Sequence, residues 1–371
     1  MQQAEDIVER AQEELEQAEA AASVDNSTAA ILGSAAGRSQ YVSTACREID
    51  IESEVELQEL IGAGTFGEVY SGTWHGTHVA VKRLHNQGGI AGHKEMLDEI
   101  RVEVQVLQTL HHPNIVMLMG MCTKTPWVSI VTEFMGKFKD LPDGSRICVN
   151  SIDKVLHETS IKVDASRLKA MLKEIVQGMA YLHGCKPPVV HRDLKPANLL
   201  VNRFMQVKIA DFGLATPYSI EREPAHSHSP GPTLTSLGQA TVQQAGGTPA
   251  YSAPEVLLPH GEGEGGKLRF DVKSDVFSFG VVLWEIMVRQ RPWHNVHPAR
   301  IMEAVAVQQE RLVLPNEAEL EARAAAMAGS GGKPLVGKVE AVRPILDQCF
   351  ARDTGQRPTF ADLLGQIETA L

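Results

Sequence analysis

His191-Arg192-Asp193-Leu194-Lys195-Pro196-Ala197-Asn198 follows an extended Pro187-Pro188-Val189-Val190 run and concentrates three kinds of chemistry in one short segment. Asp193 is a carboxylate able to accept a hydroxyl proton, and Lys195 a cation able to balance charge on a group in transit. Asn198 offers a neutral oxygen to a hard metal ion. Just downstream, Val207-Lys208-Ile209-Ala210 reads as a short strand that ends in Asp211-Phe212-Gly213, which places a second hard oxygen ligand beside a flexible glycine. Taken alone, Asp-Phe-Gly is an ordinary turn. Its place after the first segment is what gives it weight.

Upstream, Ile61-Gly62-Ala63-Gly64-Thr65-Phe66-Gly67-Glu68-Val69 lies between two strand-like runs, Val55 to Ile61 and Glu68 to Trp74. A dinucleotide-binding G-x-G-x-x-G opens a helix instead, so this glycine run is expected to close a hairpin and fold over a phosphate chain from above. Lys82 stands in a third strand, His78 to Leu84, where a buried ammonium is costly unless anions meet it. Glu95, Glu99 and Glu103 on the following helix, Lys94 to Leu110, are candidate partners. Glu103 is favoured because it lies one turn before Leu107, with Glu99 second.

Two more strand-like runs, Ile115 to Cys122 and Val128 to Phe134, precede a mainly helical remainder. There Ser166 to His183 carries Leu168, Leu172, Ile175, Met179 and Leu182 at helical spacing. The expected fold is α+β: a small sheet lobe with one helix at about 54–134 and a larger helical lobe at about 135–371. Residues 1–47 read as an acidic helix and a flexible linker, with a weak helix-mediated association open to them. Gly136 to Asn150, Glu221 to Gln244 and His260 to Arg269 read as surface loops. Ala318 to Lys338 begins as an Ala-rich helix and breaks at Gly329.

Composition narrows the function classes. The chain has 371 residues, 43% of them hydrophobic, and a formal charge of -11 from 35 Lys and Arg against 46 Asp and Glu, so no basic field invites nucleic acid. Five cysteines without a Cys-x-x-Cys argue against a disulfide framework or zinc knuckle. The longest apolar run, Phe277 to Val288, is shorter than the roughly 20 residues that span a bilayer. A chain of the cytoplasm, with access to the nucleus open, is expected. His226 and His228 lack a third ligand and are read as exposed loop residues.

Together these segments resemble the signature set of the eukaryotic protein kinases, which also includes Ala253-Pro254-Glu255, Asp275 in KSDVFSFG and Arg357 in QRPTF. The resemblance covers Glu54 to Leu371. It implies ATP and Mg2+, with Asp193 as the base or hydroxyl-orienting group and Lys195 beside it. Lys82 would sit on the α and β phosphates, paired to Glu103, and Asn198 and Asp211 would hold the metal. The stretch from Ile61 to Val69 would cover the nucleotide, and Val69, Ala80 and Leu200 would sandwich the adenine. Thr132 would lie behind the ring, and the backbone of Glu133 and Met135 would form its hydrogen-bonding edge. Leu107, Leu118, His191 and Phe212 match a stacked apolar spine.

Lys195 and Thr248 are similar to serine/threonine enzymes, whereas WHGTHVAVKRL, HHPNIVMLMG and SDVFSFGVVLWE resemble the tyrosine-kinase-like group, Raf-like and mixed-lineage enzymes included. Dual specificity and a non-catalytic scaffold are the alternatives. Arg192, directly before Asp193, implies activation by a phosphate on Thr233, Thr235, Ser236 or Thr241, added by an upstream kinase or by a second copy in trans. Protein hydroxyls are the expected substrates.

Overall fold

The computed structural model describes residues 46–64, 67–84, 89–141, 144–159, 161, 163–217, 248–257, 270–326 and 338–371. The predicted N-terminal helix, Thr65 and Phe66, the four candidate phosphorylation sites, His226 and His228, and the insertion at 260–269 lie outside them.

A short helix, α1 (Ile51–Glu54), leads into five antiparallel strands: β1 (Val55–Gly64), β2 (Gly67–Trp74), β3 (Thr77–Leu84), β4 (Leu118–Cys122) and β5 (Ser129–Glu133). Their order is β1-β2-β3-β5-β4. Helix α2 (Gly89–Thr109) connects β3 to β4. Side chains alternate across a strand, so Val79 and Val81 of β3 are fully buried against Trp74, Ile49 and Ile51, while Ala80 and Lys82 face the other way, toward a cleft.

Residues 46–50, ahead of the domain edge predicted at residue 54, are among those the structure describes. Ile49 and Ile51 are core residues, and residues 47–49 run parallel to β4 through Met121 N–H to Arg47 O (2.9 Å) and Ile49 N–H to Met121 O (2.8 Å). A Cβ on Gly120 would lie 2.6 Å from Arg47 O, so only glycine lets this segment approach.

Beyond the sheet, Gly136 to Asn150 is not the loop expected from sequence. It forms a hairpin of β6 (Lys137–Asp140) and β7 (Arg146–Val149), registered from Lys137 opposite Val149 to Asp140 opposite Arg146. Phe138, Ile147 and Val149 supply the apolar positions, and the Asp143-Gly144 step in the sequence is the turn signal for such a pair.

Helices α3 (Ile152–His157) and α4 (Ala165–Gly184) follow, then β8 (Val189–Val190), β9 (Leu199–Val201), β10 (Val207–Ile209) and β11 (Thr216–Pro217). The chain then forms α5 (Pro254–Leu257), α6 (Val272–Val288), α7 (Pro298–Met302), α8 (Glu317–Ala326), α9 (Val339–Cys349) and α10 (Phe360–Ala370). Helix α6 contains the longest apolar run and is buried from Ser274 to Val288, so that run serves as the centre of the helical lobe. No helix among the described residues is long and apolar enough to cross a membrane.

Candidate active site

A cavity of about 360 Å³ opens where the sheet meets the helical lobe. Its roof is Ile61, Gly62, Ala63, Gly64, Gly67 and Val69. Ala80, Thr132 and Met135 form its back and edge, Leu200 its floor, and Lys82, Glu103, Asn198 and Asp211 its inner end. Antiparallel register aligns the first group, since Val69 pairs with Lys82 and Ala80 with Thr132.

One predicted residue, Glu68, stands apart from this wall, and Glu133, of which only the backbone was expected to face the nucleotide, turns its side chain elsewhere. The Glu68 carboxylate accepts from Tyr70 Oη at 2.8 Å, and Glu133 spends its N–H on Met117 O and its carboxylate on Lys208 Nζ (2.6 Å). Neither side chain is brought to the cavity.

At the inner end, Lys82 Nζ donates to Glu103 Oε2 at 2.9 Å and to Asp211 Oδ1 at 2.7 Å, which resolves the choice of partner on α2 toward Glu103. Burial alone would lower the Lys82 pKa, but the two carboxylates outweigh it and hold the ammonium protonated well above its ordinary range. For Asp211 burial pushes toward protonation, and Lys82 overrides it, keeping the carboxyl below its usual value. Asp211 takes a left-handed backbone (φ 65°), a conformation that Asp tolerates better than most residues. Phe212 is fully buried, with its ring 5.3 Å from that of His191; Leu107 and Leu118 join the same apolar cluster.

The catalytic-type segment is tied from beneath. Asp275, in the buried part of α6, accepts from the N–H of His191 (2.9 Å) and of Arg192 (3.0 Å), and its carboxylate meets His183 Nε2 at 2.9 Å. Burial raises the Asp275 pKa, yet these partners prevail and keep it ionised. Arg357 plays a comparable part, forking onto both oxygens of Glu255 at 2.6 and 2.9 Å and so holding the Ala-Pro-Glu segment to the helical lobe. Arg192 lies with its guanidinium carbon 4.8 Å from the Phe270 ring centre.

Above this base, Lys195 Nζ bonds Asp193 Oδ2 (2.6 Å) and Thr248 Oγ1 (2.8 Å), and Thr248 donates to Asp193 Oδ1 through its hydroxyl (3.1 Å) and N–H (3.2 Å). Asn198 donates its amide hydrogens to Asp193 O and Oδ2. That leaves the Asn198 side-chain oxygen, together with the oxygens of Asp211, as a hard donor set for a divalent cation. The arrangement holds one carboxylate, Asp193, against one cation, Lys195, with the metal-type oxygens of Asn198 and Asp211 supplied from further along the chain. It suits the orientation of a hydroxyl toward a phosphoryl group.

The polar wall residues that escaped the sequence reading are Asn150, Ser151, Asp153 and Lys154. Lys154 Nζ donates to Ile61 O (2.9 Å) and Cys148 O (3.0 Å). Nothing in its spacing singled it out, because its acceptors are main-chain atoms that carry no mark in the sequence.

The protein kinase domain family matches residues 55–366, and the chain belongs to that family. It is of the tyrosine-kinase-like type that its motifs implied. It is 35% identical over 315 residues to the probable serine/threonine-protein kinase SIS8 of Arabidopsis thaliana, covering 85% of this chain and 25% of the relative. The serine/threonine-protein kinase CTR1 of the same plant is 35% identical over 313 residues, 84% of this chain and 31% of CTR1. The probable serine/threonine-protein kinase drkC of Dictyostelium discoideum is 33% identical over 326 residues, 87% of this chain and 35% of drkC. The chain thus spans a quarter to about a third of these relatives' length.

Proposed function

We propose that this chain transfers the γ-phosphoryl group of ATP to serine and threonine hydroxyls of proteins. The observation that carries the reading is the joined constellation at the cleft: Lys82 bound to Glu103 and Asp211, and Asp193 held among Lys195, Thr248 and Asn198. A scaffold without turnover has no need of this set in register.

In this reading the base of ATP lies between Val69, Ala80 and Leu200, beside the Met135 backbone, and Lys82 receives the α and β phosphates. Asn198 and Asp211 hold Mg2+, which when bound neutralises charge on the phosphates. Asp193 orients the attacking hydroxyl and accepts its proton as the bond from that oxygen to the γ-phosphorus forms and the bond to the β-phosphate oxygen breaks, with ADP as the leaving group. Lys195 offsets the charge on the phosphoryl oxygens, and Thr248 keeps the Asp193 carboxylate and Lys195 ammonium in one geometry. Most of the acceleration comes from positioning and charge stabilisation. The Lys195 and Thr248 pairing, with the serine/threonine names of the relatives, supports the substrate class. Phosphorylation between Asp211 and Glu255, acting through Arg192, is proposed as the activating event, and signalling inside the cell as the setting.

The test is incubation with ATP and Mg2+ on a peptide array of mixed Ser, Thr and Tyr acceptors, followed by phosphoamino acid analysis. Phosphoserine and phosphothreonine are expected; phosphotyrosine as the main product overturns the substrate class.

A further inference from the structure

The hairpin of β6 and β7 joins the lobes at the mouth of the nucleotide cleft, and the joint runs through Lys154. Between Leu60 and Gly62 the β1–β2 register slips, with Leu60 opposite Tyr70 and Gly62 opposite Val69, so Ile61 stands at an irregular point of the ladder. Lys154, on α3 of the helical lobe, supplies a donor to the Ile61 carbonyl and a second donor to Cys148 O of β7. One ammonium therefore holds the root of the glycine-rich turn to the segment that leaves the hinge.

A second link crosses the same gap. Arg146 of β7 donates to Glu59 Oε1 of β1 at 2.8 Å, and its guanidinium carbon lies 4.5 Å from the Phe138 ring centre. Phe138 stacks on Phe134 of the hinge at 5.8 Å and 10°. The hairpin can fold flat against the hinge because residue 136 is glycine. A Cβ there would meet Cys148 Sγ and a Phe134 ring atom, both at 2.9 Å, and its φ is +156°.

We propose that Lys154 is a nucleotide-positioning residue: with the hairpin behind it, it clasps the glycine-rich strand down over bound nucleotide and slows its release. The inference rests on the ATP reading above. It gives the hairpin, read from the sequence as a surface loop, a role at the nucleotide mouth.

The experiment uses the full chain and measures ADP–Mg2+ affinity by calorimetry, its dissociation rate, and KM for ATP against kcat. Lys154→Met keeps the aliphatic stem and removes the donors; it is expected to weaken ADP about 10-fold, the size of one lost charge-assisted hydrogen bond, mainly through faster release. KM for ATP rises with it, and kcat falls by less. Arg146→Gln, at an exposed site, is expected to weaken ADP about 2-fold, in keeping with a solvent-exposed pair. Lys154→Arg restores most of the affinity. ADP binding by Lys154→Met within 2-fold of the parent overturns the clasp, whereas failure of the parent itself to bind ADP–Mg2+ overturns the ATP reading and the clasp with it.

Discussion

Thr248→Val removes a hydroxyl while keeping the shape of the side chain, and the expected loss follows from its two bonds. The hydroxyl accepts from Lys195 Nζ at 2.8 Å and donates to Asp193 Oδ1 at 3.1 Å, while the Thr248 N–H to Asp193 survives the change. A hydrogen bond to a charged group contributes about 1.5–3 kcal/mol when its partner is left dry. Lys195 retains 23% side-chain exposure and recovers part of its bond from water, so the two together come to about 2 kcal/mol. At about 1.36 kcal/mol per tenfold, that is about a 30-fold fall in kcat. KM for ATP stays near the parent's, because Thr248 does not line the nucleotide cavity. Steady-state rates on a protein substrate, with ATP varied, read both constants, and Thr248→Ser serves as the rescue. A kcat within about threefold of the parent, or a loss carried by KM for ATP, rules out this role for the Thr248 hydroxyl.

Three further outcomes follow from the same contacts. Asp275→Asn turns a buried acceptor of the His191 and Arg192 N–H groups partly into a donor, and should cost about 3 kcal/mol in denaturant melts at pH 7. Because the folded pKa of Asp275 is depressed, its contribution is full above the unfolded carboxylate value of about 3.9 and is lost as pH falls through the folded value. The gap between parent and variant should therefore hold from about pH 8 to 5 and narrow only below about pH 4; narrowing near pH 6 contradicts the assignment. Lys82→Met leaves Glu103 and Asp211 without their shared cation, and should lower kcat/KM at least about 10³-fold and lower the melting temperature. Gly120→Ala sets a methyl 2.6 Å from Arg47 O and should destabilise the sheet lobe by about 1–3 kcal/mol, read as a lower denaturation midpoint.

Residues whose chemistry is local to a short segment were legible from the sequence. His191 to Asn198 and Asp211 to Gly213 are contiguous, and the turn around Gly62, Gly64 and Gly67 is separated from Lys82 by one hairpin, so a strand pairing brings them together. Glu103 needed the structure to separate it from Glu99, because the spacing along one helix leaves both open until Lys82 selects between them. Asp275 and Arg357 were visible as motif residues, but what they hold is not: their partners include main-chain groups 83 and 84 residues away, at Arg192 and Lys273. The β6–β7 hairpin was read as a loop because Lys137, Lys139, Asp140 and Arg146 give the stretch a polar cast, although Phe138, Ile147 and Val149 still mark its apolar positions. The pairing of residues 47–49 with β4 was not legible for a related reason, since it is made by backbone atoms and only Ile49 marks the segment.

Whether Asp193 drives phosphoryl transfer is read most directly in a single turnover: labelled γ-phosphate passing from ATP to a serine or threonine peptide, with Asp193→Asn beside the parent and both saturated with ATP and Mg2+. Transfer by the parent is expected, after treatment with an upstream kinase where needed, with a loss of at least about 10³-fold in the variant at similar ATP affinity. Equal transfer by the two proteins, or none by a phosphorylated parent that binds ATP, would contradict the assignment of Asp193 and of the kinase reaction itself.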